Sequence, residues 1–215
     1  MRVYLKFPNA MPIDPFVVLD FETTGLQPER GDRITEVGLV RIEGGRIVDR
    51  FESLVNCDAR VPSHITAFTG ITQRMVDEAP PVAGVMRQVA DFIGEASVVS
   101  HNATFDQRFF IRECRFARIG MLVQPFICTL RLARRVYPEL RSHSLAELIR
   151  ALRLPTRGVA HRAAADAEAT AELLLRLSHD LESMYVDELV SDQLLRRVMR
   201  TPVGKVPAMV KTIAA

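Results

Sequence analysis

Val17-Val18-Leu19-Asp20-Phe21-Glu22-Thr23-Thr24-Gly25 is the stretch that decides the fold. Together with Phe16 it opens on an unbroken apolar run, the signature of a strand buried on both faces. It closes on Thr-Thr-Gly, a turn signal. Strand side chains alternate between faces, so Asp20 and Glu22 project from the same face as Val18. At ~3.3 Å per residue the two acids stand about 6.6 Å apart along the strand. A pair of carboxylates therefore sits at the C-terminal end of a buried strand, where α/β sheets commonly place ligands. Alone the pair says little. The chain has 26 acids, and Asp166-Ala167-Glu168 is a second such pair.

Working outward, residues 33–42 and 46–55 are rich in Ile, Val and Leu and flank Gly44-Gly45, which reads as an antiparallel hairpin. Pro80-Pro81 opens a helix to about residue 93, with proline suited to a first turn. Residues 97–100 form a short strand. A helix follows over 104–117, with Thr104 as its N-cap, and then a strand over 125–129. Further helices are expected at about 130–136 and 144–152, and a long amphipathic one over 163–184. Strands first as a meander, then alternating with helices, predict an α/β fold. Its mixed five-stranded sheet combines an antiparallel meander with parallel strands, flanked by helices. Residues 1–15 read as an N-terminal extension, 16–186 as the main domain, and 187–215 as one more helix and a loose tail.

The 215 residues allow one sizeable core, and 48% apolar with 25% charged residues are ordinary globular values. No apolar run reaches membrane-spanning length, and residues 1–15 lack a secretory core, so no membrane partner and a cytoplasmic location are expected. Three widely spaced cysteines, Cys57, Cys114 and Cys128, indicate neither a zinc knuckle nor a disulfide framework. Net charge is only +2, but residues 108–162 hold twelve arginines against Glu113, Glu139 and Glu147, leaving that stretch at +9 and the remainder at −7. Such asymmetry marks either a phosphate-facing surface or the solvated helix faces of an arginine-favouring proteome. Only three of the 28 basic residues are lysine, which speaks for the latter.

Two further acids join the first pair on physical grounds. At 100° per residue Asp166 lines up with Thr170, Leu173, Leu174, Leu177, Leu181 and Met184, a stripe that must face the body of the protein. A carboxylate there is costly unless paired or metal-bound, although an acid in a first turn also complements the helix dipole. Glu168 falls on the far side and is expected in solvent. Asp106 repeats the pattern in line with Phe109, Phe110 and Ala117. His161, five residues before Asp166, can lean over a site that Asp166 lines. Oxygen-only donors suit hard divalent cations, and two Mg²⁺ or Mn²⁺ ions can stabilise both oxygens of an in-line phosphoryl displacement. A histidine of near-neutral pKa can serve as the base.

These residues carry a resemblance. The segment around Asp20 and Glu22, His101-Asn102-Ala103-Thr104-Phe105-Asp106, and His161-Arg162-Ala163-Ala164-Ala165-Asp166 occur in the order of the three motifs of the DEDDh 3′–5′ exonucleases. That family has an RNase H-like fold and includes the proofreading epsilon subunit of bacterial DNA polymerase III, RNase T and oligoribonuclease. Thr69-Gly70-Ile71-Thr72 and Ser142-His143-Ser144-Leu145 add to the likeness, which spans residues 16–184 and makes 16–186 an exonuclease domain.

The resemblance implies that Asp20 bridges two metals, that Glu22 and Asp166 complete the site holding the nucleophilic water, and that Asp106 supports the second ion. His161 would be the general base. Thr23 and Leu26 would touch the terminal nucleotide, with His64, Thr69, Asn102 and Phe105 as further substrate contacts. The expected substrate is a single-stranded or frayed 3′ end, with DNA favoured although the motifs do not separate DNA from RNA, and a polymerase or repair protein is a candidate partner. The alternatives are an exoribonuclease acting on short or structured RNA ends and a non-catalytic nucleic-acid-binding subunit. Phe21, where relatives often have threonine, and Cys128, where they often have aspartate, depart from the pattern without removing a metal ligand. No clamp-binding peptide is evident after Met184, which speaks against a place in a replicative polymerase complex.

Overall fold

A computed structural model describes residues 14–120, 125–185 and 190–206. Its centre is strand β1 (Phe16–Thr23), whose residues Phe16, Val17, Val18 and Leu19 are fully buried. β2 (Ile34–Glu43) pairs antiparallel with β1 and turns through Gly44-Gly45 into β3 (Arg46–Leu54). Both glycines adopt positive φ, 53° and 68°, which the tight hairpin needs and side chains resist. On the other side of β1 lie β4 (Ser97–Ser100) and β5 (Ile127–Cys128), both parallel to it, giving the order β3-β2-β1-β4-β5. The sheet is thus the five-stranded mixed one that the sequence predicts.

Helices cover both faces. α1 (Ser63–Thr69) and α2 (Gln73–Asp77) lie in a stretch to which the sequence reading assigns no element. α3 (Val82–Ile93) follows Pro81 as expected and places Phe92 against Phe51 of β3, with ring centroids 6.1 Å apart. α4 (Thr104–Phe116) is held to the start of β2 by a buried two-pronged pair, Arg33 to Glu113 at 2.7 and 2.9 Å. Thr104 is not the N-cap: Ala103 takes that place, already helical and without a side-chain cap. β5 is shorter than the expected 125–129. Pro125 has no N–H for the ladder, and Thr129 begins α5 (Thr129–Val136) with its hydroxyl against His101. α6 (Leu145–Leu152) is capped by Ser144. α7 (Ala163–Tyr185) runs across β1 and β2, and α8 (Asp192–Arg200) closes the β5 edge, where Cys128 N–H reaches Met199 Sδ at 3.2 Å. Residues 1–13 of the expected extension (1–15), and residues 187–189 and 207–215 of the expected C-terminal helix and tail (187–215), lie outside the described residues. All three cysteines are buried and free. No helix among the described residues is long and apolar enough to cross a membrane.

In the predicted stripe of α7, Thr170, Leu173, Leu174, Leu177 and Leu181 are all 1% exposed or less, while the side chain of Met184 lies outside the described ones. Glu168 corrects the expectation of a solvated acid. Its carboxylate takes both prongs of Arg50 at 3.0 and 3.1 Å and lies 3.5 Å from Arg157, tying α7 to β3. The opposing long-range partner, not the helix periodicity, decides its environment.

The start of α7 sits directly on β2 at Gly38, which faces Asp20 across the ladder. A Cβ at Gly38 would overlap the backbone of Ala163 and Ala164. Backbone cannot move aside as a side-chain tip can. We therefore expect Gly38→Ala to cost about 1–3 kcal/mol, the usual penalty for overpacking, read as a lower midpoint in denaturant unfolding. An unchanged midpoint would show that α7 does not rest there.

Candidate active site

Strand alternation and the approach of α7 bring three of the predicted acids together. Ligand atoms of Asp20, Glu22 and Asp166 lie within 4.8 Å of one another. Asp20 and Glu22 point from β1 toward α7, and Asp166 descends from the first turn of that helix. Asp106 is nearly fully buried in the first turn of α4, and its Oδ1 accepts the Phe21 backbone N–H at 3.2 Å. It stands beside Asp20 rather than within the compact trio.

His161 is exposed on the rim, with a left-handed φ of 62°. Its imidazole stacks on Phe68 of α1, centroids 4.0 Å apart. Its backbone N–H and its charge both act on the Asp166 carboxylate.

The sequence reading missed Glu36. It pairs across the ladder with Glu22 and is buried on the same face. Its carboxylate receives Arg162 Nε at 3.0 and 3.1 Å and the Ala163 N–H at 2.9 Å, capping α7. Glu36 and Arg162 thus lock the segment carrying His161 and Asp166 onto β2. Phe68 was missed as well. The signal for Glu36 was an acid inside a strand of β-branched residues, but its facing partner depends on hairpin register.

The predicted substrate contacts divide. Leu26, 71% exposed, and exposed His64 and Asn102 are accessible, and Asn102 has a left-handed φ of 60°. Phe105 is half-buried against Phe109. The hydroxyls of Thr23 and Thr69 are engaged internally: Thr23 donates to Gly25 O at 2.6 Å, and Thr69 donates to Ile65 O and accepts from Ile71 N–H.

The electrostatics are those of a site short of positive charge. Burial pushes the Asp20 carboxyl well above its ordinary range, and the charges of Asp106, Asp166, Glu22 and Glu36 push it further. Burial likewise raises Asp106, opposed by the Phe21 N–H. Glu22 rises to about 7 through burial and the charges of Asp166 and Glu36, with Arg162 opposing. Burial raises Asp166, opposed by His161. Clustered oxygen donors that resist ionisation fit a hard divalent cation, whose charge would supply what the protein lacks.

The comparisons agree with this geometry. The family model described as Exonuclease (RNase_T) matches residues 17–174. Over 181 residues the chain is 35% identical to DNA polymerase III subunit epsilon of Aquifex aeolicus, covering 84% of this chain and 89% of that protein. It is 37% identical to the PolC-type DNA polymerase III of Bacillus subtilis over 180 residues, 82% of this chain but only 12% of that much longer protein. Among solved structures, Exonuclease X in complex with 5′ overhanging duplex DNA superposes with TM-score 0.68 at 26% identity, over 86% of this chain and 99% of that one. The nuclease domain of 3′hExo, titled a DEDDh family member, shares the fold with TM-score 0.67 at 21% identity, over 78% and 93%. The molecule is an RNase H-like nuclease. It belongs to the Exonuclease (RNase_T) family and is a 3′–5′ exonuclease.

A raised carboxyl pKa favours the folded state only while the group is protonated. That contribution is complete below the unfolded pKa near 4 and is lost as pH rises through the folded value. The metal-free protein should therefore weaken as pH rises from near 4 through the Glu22 value of about 7, with the raised Asp20 carboxyl adding to the loss. Asp20→Asn removes that repulsion. In chelator its thermal midpoint should exceed wild type by a few degrees at pH 8, with the gap shrinking toward pH 5. A midpoint below wild type at pH 8 would contradict the raised carboxyl.

Proposed function

We propose that this exonuclease is metal-dependent, works by a two-metal mechanism, and releases nucleoside 5′-monophosphates from single-stranded or frayed DNA ends. The convergence of Asp20, Glu22 and Asp166 within 4.8 Å carries the reading. DNA is favoured by the epsilon-subunit relative, matched over most of both chains, and by the DNA-bound Exonuclease X neighbour.

Asp20, Glu22 and Asp166, supported by Asp106, would hold two Mg²⁺ or Mn²⁺ ions. When bound, these supply Lewis-acid polarisation and neutralise charge at the phosphate. His161 on the rim takes the proton of the attacking water as the new P–O bond forms and the bond to the 3′ oxygen breaks in line. Phe68, stacked on the imidazole, limits its rotation. Leu26 offers an apolar edge to the terminal base, with Thr23, His64, Thr69, Asn102 and Phe105 around the same nucleotide. The partner we favour is a polymerase or repair protein, by analogy with the epsilon-subunit relative.

Asp20→Ala should reduce turnover of a 5′-labelled oligonucleotide by at least about a thousandfold with the circular dichroism spectrum unchanged; wild-type turnover would sink the mechanism. His161→Ala should lose on the order of 10²–10⁴ in rate. Wild-type turnover in that variant would exclude it as the base. Matched DNA and RNA oligomers digested side by side with Mg²⁺ should show faster loss of DNA and none with chelator. Faster loss of RNA would reassign the substrate.

A further inference from the structure

In three dimensions four arginines of the arginine-rich stretch are matched to glutamates. Arg108 is paired with Glu29, Arg150 with Glu147, Arg157 with Glu168 and Arg162 with Glu36. Arg112 lies over the Phe116 ring. Arg115, Arg118, Arg141 and Arg153 likewise have no carboxylate within ion-pair distance among the described residues, but Arg115 and Arg118 lie at the end of α4 remote from Asp106, whereas α5 gathers three arginines on one short helix. Arg131 and Arg134 are both exposed and three residues apart, hence neighbours on one helix face. Among the described residues, no carboxylate lies within ion-pair distance of either.

Arg135 stands beside them. Its guanidinium donates to Thr201 O at 2.7 Å and to Arg131 O at 2.8 Å, and among the described residues no acid pairs with it. Burial and the charges of Arg131 and Arg134 hold it below its ordinary pKa. Three like charges gathered on two helical turns repel one another unless an anion joins them.

Their place in the fold says which anion. α5 starts at the C-terminal edge of the sheet, the edge where Asp20 lies. Thr129, its first residue, sits 2.9 Å from His101 Nδ1, and Ser100 Oγ, one residue before that histidine, donates to Leu19 O at 2.8 Å. A short hydrogen-bonded path thus ties the first turn of α5 to the residue preceding Asp20. The charge of Arg134 reaches His101 as well.

We propose that the outer face of α5, through Arg131 and Arg134, is a track for the phosphodiester backbone of the strand whose 3′ end enters the acidic site. This rests on the exonuclease reading above and extends it from the terminal nucleotide to those upstream. A strand leaving a negative pocket meets here the uncompensated cations on the β5 side. On the β2–β3 side of the site, Arg50, Arg157 and Arg162 are already paired with Glu168 and Glu36. Attraction of this kind depends on charge rather than on base identity, so the track reads length and salt, not sequence.

The test is equilibrium binding of a fluorescent 12-nucleotide single strand in chelator, over a salt series, together with kcat/KM in Mg²⁺ for that strand and for a dinucleotide too short to reach α5. For Arg131→Glu/Arg134→Glu, Kd should weaken about tenfold or more, and the slope of log K against log salt should fall by about 1–2. The ratio of kcat/KM for the 12-mer to that for the dinucleotide should fall about tenfold. Arg131→Lys/Arg134→Lys should stay within about threefold of wild type, since phosphate attraction survives with the charge. Arg46→Glu, at the start of β3 on the opposite edge of the sheet, should leave Kd unchanged.

The proposal is overturned by an unchanged Kd and slope in the double Glu variant, by an equal loss in Arg46→Glu, by a parallel fall on both substrates, or by a wild type that does not bind the 12-mer. Should the wild type bind the strand yet cleave neither substrate, the catalytic reading fails while the binding series still decides the track.

Discussion

The site depends on one close approach, the backbone of α7 resting on β2 at Gly38. Helices normally pack on sheets at a distance set by the side chains between them. Here one position on the sheet carries no side chain, and the first residues of the helix occupy its place. Because Gly38 faces Asp20 across the ladder, the helix arrives directly over the acid pair, and Asp166 reaches it. Glu36, two residues earlier on β2 and on the same face, fixes the approach by capping the helix and holding Arg162. A single strand of the hairpin therefore supplies both the space and the clamp.

That arrangement concentrates negative charge where water screens it poorly. Asp20, Glu22, Asp106 and Asp166 all resist ionisation, chiefly because they are buried. A fold optimised for stability alone would not collect them. Destabilisation retained at one place and offset elsewhere is the usual mark of a functional site. The offset is visible. β1 is buried along its whole apolar run, α7 presents an uninterrupted leucine stripe to the core, and Arg33–Glu113, Arg50–Glu168 and Arg162–Glu36 join elements far apart in sequence.

How much of this was legible in the sequence follows from the range of each interaction. Alternation placed Asp20 and Glu22 on one face, and helical periodicity turned Asp166 inward, because each depends only on local geometry. The hairpin followed from Gly44-Gly45, whose positive φ values are a local demand. Glu36 was not legible, since its place beside Glu22 depends on the register of two paired strands. Glu168 was misread for a similar reason: its partner, Arg50, lies 118 residues away. Thr104 has the residue type that favours a cap, but the chain is already helical at Ala103. The short helices α1 and α2 escaped because five to seven residues carry too little periodicity to stand out, yet α1 supplies the aromatic ring under His161.

The division of charge between the two halves of the molecule follows from the same constraint. A cluster of carboxylates repels a polyanion, and bound cations can neutralise only the phosphate that sits on them. Phosphates further along the strand feel the acids at distances comparable to the Debye length, about 8–10 Å at ordinary ionic strength. Cations paired with local acids contribute little there, because the pair is nearly neutral from a distance. Only unpaired ones change the field along the strand. The arginines of α5 meet that condition at the edge of the sheet where the site opens, whereas Arg108, Arg150, Arg157 and Arg162 of the same stretch are each matched to a glutamate. Net charge near zero and a strongly uneven distribution are then two aspects of one requirement: a negative pocket must be reached by a negative chain.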